Sequence, residues 1–384
     1  MHRQRVFHIL NKSSTGGAES LVRELVAFSS TDRNSLDHNI FLIAKSFTAI
    51  WLLSKKGFRI IPILVAALRL IFTIILNNFK DNKVQIIYLF HLAEGHLVAR
   101  LLSLVPKIFK KSIFCIYLHQ SKDLYPAKLL KSADLLIQKF PVICYSEAAT
   151  KNWFTNLQKE SVQRFIIHNI VSTKYLNLSK NRNLFQRQEL QFVFVGRFVG
   201  WKHPEMAVDF SQKFANFSSI NLKVIGISEF EYVSKYGPIV PQSKNSLKID
   251  FIGNSNSVEE ILNNSDLLLY LSDTSLSGES IGIAAMEALC IGVPVVVQDK
   301  SKSDFSGLPG IYEYNDFFGY DVQLFTKEQN SAKSRLLNET LRLSQADIDG
   351  WRDVASIQRY NNDLKRVVDV ICTTKKKDNF GNSI

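Results

Sequence analysis

The chain has 384 residues, 46% of them apolar and 21% charged, which excludes a disordered or fibrous protein and exceeds what one hydrophobic core usually organises. Its formal charge of +12 would attract nucleic acid, anionic lipid or a phosphate-bearing substrate alike, so charge alone selects none of them. Cys115, Cys144, Cys290 and Cys372 are too scattered for a disulfide framework or a zinc site, and they suit a reducing cytosol.

In chain order, a strand is expected at 5–10, and its apolar run is too brief for the core of a signal peptide, so no export is expected. A helix follows at 19–29, then a strand at 40–44. The stretch 60–76 is apolar apart from Arg69 and Thr73, yet it falls short of the roughly 20 residues a span requires, and Pro62 and Arg69 interrupt it. Two readings stay open there: a helix packed on a sheet, or partial insertion at a bilayer surface favoured by Lys55, Lys56, Arg59 and Arg69. No nucleic-acid module is recognisable, so an anionic membrane surface is the expected partner for the positive charge.

Further strands are expected at 85–90, 112–118, 142–145 and 165–168, with a helix at 95–104. After the polar residues 179–183 the pattern restarts, with strands at 191–195, 222–225, 248–252, 267–271, 293–297 and a weak one at 310–312. Residues 347–371 read as one helix, and 373–384 as a mobile tail. Such alternation predicts an α/β fold of two doubly wound, Rossmann-like domains, over 1–180 and 181–350, with ligands beyond the carboxyl ends of the strands.

Three segments could carry chemistry. In Gly278-Glu279-Ser280-Ile281-Gly282, a strand gives way to a helix whose first-turn amides suit an anion, and Glu287 lies about 7.5 Å further along the axis. Glu279 and Glu287 can therefore address different hydroxyls of one extended ligand, and Glu287 stands almost alone among apolar helix residues, where an unused carboxylate would be costly. The second segment, Gly196-Arg197-Phe198-Val199-Gly200-Trp201-Lys202, ends a strand in glycine and offers a guanidinium and an ammonium to phosphate oxygens. Read alone, it could equally be two solvated cations after a strand. The third, Asn11 to Ser20 with paired Gly16 and Gly17, lets a loop approach a phosphate or sugar, although a plain strand-to-helix turn explains it as well. His119 and His91 each follow a strand and could act as acid, base or donor to a sugar hydroxyl; His8 lies within a strand and reads as core.

Together these segments resemble the family-4 glycosyltransferases (glycosyltransferase group 1), retaining enzymes of the GT-B fold, in order from Val6 to about Val296. The glutamate pair with seven residues between, the Gly292-Val293-Pro294 that follows and the upstream Gly196-Arg197 and Lys202 are its most specific elements. The resemblance implies transfer of a sugar from a nucleotide diphosphate, UDP- or GDP-linked, to a saccharide or lipid-linked saccharide. It implies no bound metal or other cofactor. Arg197 and Lys202 would hold the diphosphate, with Gly17 near it, and Glu287 the ribose. Glu279 and the amides of Ser280, Ile281 and Gly282 would face the donor sugar. His119 would lie near the reacting carbon, and His91 on the acceptor side. Residues 351–372 resemble the helix that returns to the first domain. The sequence departs from the pattern at Ser280-Ile281-Gly282, where Gly-Phe-Gly is common, at Asn169-Ile170-Val171-Ser172, where Asn-Gly-Val-Asp is usual, and at Gln120 after His119.

Work on polysaccharide assembly at the inner face of the cell membrane would fit, with the protein cytoplasmic and peripheral. A nucleotide-sugar epimerase shares the architecture, and a non-catalytic scaffold could keep it. A nicotinamide dehydrogenase would need a glycine fingerprint that the first strand lacks.

Overall fold

The computed structural model describes residues 4–10, 17–31, 36–42, 69, 72–73, 85–91, 112–118, 127–155, 162–178, 189–216, 218–240, 246–273, 282–299, 307–317 and 343–381. The chain forms two units, Met1–Ile170 with Ile357–Ile384, and Val171–Ser356. The sequence pattern places these divisions after 180 and 350, and the core memberships of Val171 and Ala355 move them to 170 and 356.

The first unit contains β1 (Gln4–Leu10), α1 (Gly17–Thr31), β2 (Asp37–Leu42), β3 (Gln85–His91), β4 (Ser112–Leu118), α2 (Ala127–Ile137), β5 (Val142–Cys144), α3 (Glu147–Phe154) and β6 (Arg164–Ile166). Its six strands form one parallel sheet in the order β2-β1-β3-β4-β5-β6. The chain therefore leaves β1 to one side for β2 and to the other for β3, a reversal that opens a crevice at the carboxyl ends of β1 and β3. Burial on both faces explains why β3 and β4 read as nearly unbroken apolar runs.

The second unit contains α4 (Thr173–Leu176), β7 (Glu189–Val195), α5 (Pro204–Phe214), β8 (Ser219–Ile225), α6 (Glu229–Tyr236), β9 (Leu247–Gly253), α7 (Val258–Asn263), β10 (Leu267–Tyr270), α8 (Ile283–Cys290), β11 (Val295–Val297), β12 (Ile311–Glu313) and α9 (Gln345–Val354). Its parallel sheet runs β12-β11-β10-β7-β8-β9, so the reversal falls between β7 and β10. All four residues of β10, Leu-Leu-Leu-Tyr, are buried, whereas β9 at the edge is only partly buried along its length. At the amino ends of β7 and β10, Asp266 accepts from the Gln191 amide at 2.8 Å and returns its own amide to the Gln191 carbonyl at 2.7 Å.

The single helix read at 347–371 is two. α9 starts on Ser344, which caps the Asp347 amide and receives that carboxylate in return, and it ends at Val354. α10 (Ile357–Gly381) then begins and runs through most of the segment read as a tail. The break falls where the chain changes core: Ala355 packs with the second unit, while Ile357, Tyr360, Leu364, Val367, Val368 and Ile371 form one helical stripe in the first.

Candidate functional site

The residues expected to hold a donor diphosphate flank the reversal of the second sheet. The loop after β7 starts at Gly196, whose amide donates to the Ile225 carbonyl at 3.0 Å. Gly226 crosses close above it with φ +90°, and any side chain there would strike the Gly196 carbonyl, so the two strand ends can approach this closely only because residue 226 is glycine. A bond from the Asp273 amide to the Trp201 carbonyl, 2.8 Å, ties this loop to the chain leaving β10. The loop closes on His203, held at φ 50° as the cap of α5, with Nδ1 2.7 Å from Glu205 Oε1.

These constraints seat Lys202. Its Nζ donates to Ser272 Oγ at 3.1 Å and lies 4.9 Å from the centre of the Tyr270 ring. Arg197, in the same loop, is exposed. Tyr270 also touches the start of α8, for a Cβ on Gly282 would overlap its hydroxyl and ring. One aromatic ring thus packs against both the ammonium and the residue that begins the helix, where the first amides lack intrahelical partners.

Glu287 is half-buried on α8, among the buried Ala285, Met286, Ala288, Leu289 and Cys290. The Tyr175 hydroxyl of α4 donates to it; burial first, then the charges of Glu287 and Glu259, push the Tyr175 ionisation well above the ordinary tyrosine value. The far end of α8 is fixed by Arg352, whose Nε donates to the Cys290 carbonyl at 2.9 Å and whose second arm reaches the Leu178 carbonyl. A cation at a helix carboxyl end also suits the helix dipole.

The structure therefore brings Gly196, Lys202 and Gly282 to one strand edge of the second unit and places Glu287 further along the helix that starts there. Gly16, His119, Glu279, Ser280 and Ile281 lie outside the described residues, as does the stretch 60–76 apart from Arg69, Phe72 and Thr73. Gly17 is the first residue of α1. His91 ends β3 and is buried, with Nε2 3.0 Å from His8 Nδ1, and His8 is a core residue at 0% exposure. Tyr270, Ser272 and Tyr175 escaped the sequence reading. Ser272 could have been suspected from its place just past a buried strand beside the reversal, but nothing local marks Tyr175 or Tyr270. Among the described residues, no helix is long and apolar enough to cross a membrane.

Residues 177–303 match the family described as Glycosyl transferases group 1. A Klebsiella pneumoniae protein, described as an uncharacterized 41.2 kDa protein in the cps region, is 24% identical over 318 residues, covering 77% of this chain and 81% of its own. A glycosyltransferase from Rickettsia africae superposes with a TM-score of 0.64 at 12% identity, over 97% of this chain and 99% of that one. Anabaena HepE, solved in complex with UDP-glucose, gives 0.59 at 13% identity, over 96% and 99%. The chain thus has two six-stranded Rossmann-like units, a fold it shares with GT-B glycosyltransferase structures, and its residues 177–303 are similar to the glycosyl transferases group 1 family.

Proposed function

We propose that this protein moves a sugar from a nucleotide diphosphate, UDP- or GDP-linked, onto a lipid-carried saccharide, with retention at the anomeric carbon, during assembly of a cell-surface polysaccharide. The observation that carries the reading is Lys202, held by Ser272 and Tyr270 at the β7/β10 reversal beside Gly282. A preorganised cation there stabilises charge developing on a departing diphosphate, and Arg197 adds a second. Glu287, oriented by Tyr175, takes the ribose hydroxyls, while Glu279, Ser280 and Ile281 take the donor sugar and His119 lies near its reacting carbon. The acceptor oxygen bonds to the anomeric carbon as the carbon–phosphate oxygen bond breaks. The acceptor proton passes to the leaving phosphate, giving a glycoside and a nucleoside diphosphate. Arg197 and Lys202 fill the electrostatic role without a metal ion.

The relative described from a cps region supports polysaccharide assembly, and the HepE complex makes UDP-glucose the first donor to test. The charge of +12, with Arg69 and Phe72 both exposed, supports an encounter with lipid-linked acceptor at an anionic membrane, on its cytoplasmic face. The test is a thermal-shift panel of UDP-, GDP- and ADP-sugars, followed by transfer of labelled sugar to polyprenyl-linked saccharide in vesicles. A ligand that prefers the folded state must raise the melting point. No shift with any donor refutes the reading, and a free altered nucleotide sugar formed without acceptor assigns an epimerase instead.

A further inference from the structure

The loop that carries Lys202 is closed by a strained residue. Among the described residues, His203 is the one non-glycine with positive φ, at 50°. A side chain in this left-handed form crowds the following carbonyl, and only glycine adopts it freely. Sequence explains why His203 does not simply join the helix it precedes: Pro204 opens α5, and a proline ring crowds the right-handed region of the residue before it. The extended region is the alternative open to His203. α5 is anchored by the buried Ala207, Val208, Phe210 and Phe214, so a change of angle at His203 must move the loop and not the helix.

Glu205 holds His203 as it is. Nδ1 of the ring lies 2.7 Å from Glu205 Oε1, and an ionised carboxylate only accepts, so the ring donates. Burial raises the Glu205 carboxyl, and the His203 bond, with Tyr236 beside it, brings it below its ordinary value. The other end of the loop rests on α6: Phe198 meets the Tyr236 ring edge-on at 6.1 Å and lies 5.2 Å from Lys235 Nζ. With Phe198 seated there, the angle at His203 decides where Lys202 points. An acid in the first turn of α5 also suits the helix dipole, but a dipole contact has no need of the bond to His203. As a bare charge, Glu205 would oppose an anionic ligand at Lys202.

We infer that Glu205 is a positioning residue: by bonding His203 it keeps a left-handed turn that would otherwise open, and so sets Lys202 where a nucleotide diphosphate meets it. The gain for donor binding rests on the function proposed above; the hold on the loop does not.

The test compares Glu205→Ala in two backgrounds of the full chain, by titration calorimetry with UDP-glucose. With His203 in place, Glu205→Ala should weaken binding about 5- to 30-fold, the worth of a left-handed non-glycine residue. In a His203→Gly background, where the turn carries no such strain, the same change should weaken it by no more than about twofold. Glu205→Gln keeps an oxygen for the Nδ1 hydrogen and should lose less than Glu205→Ala. Hydrogen exchange of the Asp273 amide in the ligand-free chain reads the loop itself, because that amide donates to the Trp201 carbonyl. Its exchange should quicken in Glu205→Ala and return toward the wild-type rate when His203→Gly is added. Tighter UDP-glucose binding by Glu205→Ala would reduce the carboxylate to a repelling charge and overturn the inference. Equal losses in both backgrounds would overturn it too, since they belong to a helix-start role. If UDP-glucose fails to bind the wild type, the transferase reading falls, and the Asp273 exchange rates decide the inference by themselves.

Discussion

Replacing Gly282 with alanine tests how closely the cation site and the start of α8 are coupled. The added Cβ would lie 2.7 Å from Tyr270 Cζ and 2.9 Å from Cε2, where ordinary contact begins at 3.4 Å, and it would overlap the hydroxyl outright. To clear the hydroxyl, the ring or the helix must therefore withdraw by more than about 1 Å, and overpacking of this kind costs about 1–3 kcal/mol. At about 2–4 °C per kcal/mol for a unit of this size, the melting point should fall by about 2–12 °C. Because the same ring lies under Lys202, UDP-glucose affinity should weaken by about 5- to 100-fold. Adding Tyr270→Phe removes the nearest atom, so the double variant should recover part of both losses, with a coupling of about 1 kcal/mol. Scanning calorimetry and titration calorimetry measure the two quantities. Wild-type values for Gly282→Ala, or strictly additive effects in the double variant, would refute the packing argument.

Lys202→Met should weaken UDP binding by about 10- to 150-fold, the worth of a charged hydrogen bond of about 1.5–3 kcal/mol, while Ser272→Ala, which only seats the ammonium, should cost about 2- to 10-fold. Titration calorimetry at fixed salt separates them. Tyr175→Phe keeps the ring and frees Glu287, so the preference for UDP over 2′-deoxy-UDP should shrink about tenfold, measured as a ratio of two Kd values. His38 predicts a pH dependence. Its folded value of about 4 lies below its ordinary 6.5, so the unfolded chain binds the extra proton between them. The stability it contributes is complete above pH 6.5 and is lost as pH falls to 4, by about 3 kcal/mol in all. Urea midpoints across that range should show the loss in the wild type and not in His38→Leu.

All twelve strands of the described residues were legible because parallel strands buried on both faces read as short apolar runs, Leu267 to Tyr270 most plainly. Lys202 and Glu287 were legible as candidates because charged residues beside glycine or amid apolar helix positions are conspicuous in a sequence. What packs around them was not. Tyr270 looks like another core aromatic until β10 is placed beside β7, and only then does Gly282 show why it lacks a side chain. The hydrogen bonds of the His8 ring with His38 and His91 were hidden for the same reason: His8 is 30 residues from His38 and 83 from His91, and only the order β2-β1-β3 unites them. The break between α9 and α10 was invisible because the apolar period runs through it, and it marks a change of core, not of periodicity.

Hydrogen exchange of the full chain with and without UDP-glucose tests the donor site most directly. The reading predicts protection concentrated in peptides covering 196–203, 270–273 and 282–290, and its loss in Lys202→Met. Protection confined to residues 1–170, or none at saturating donor, would contradict it.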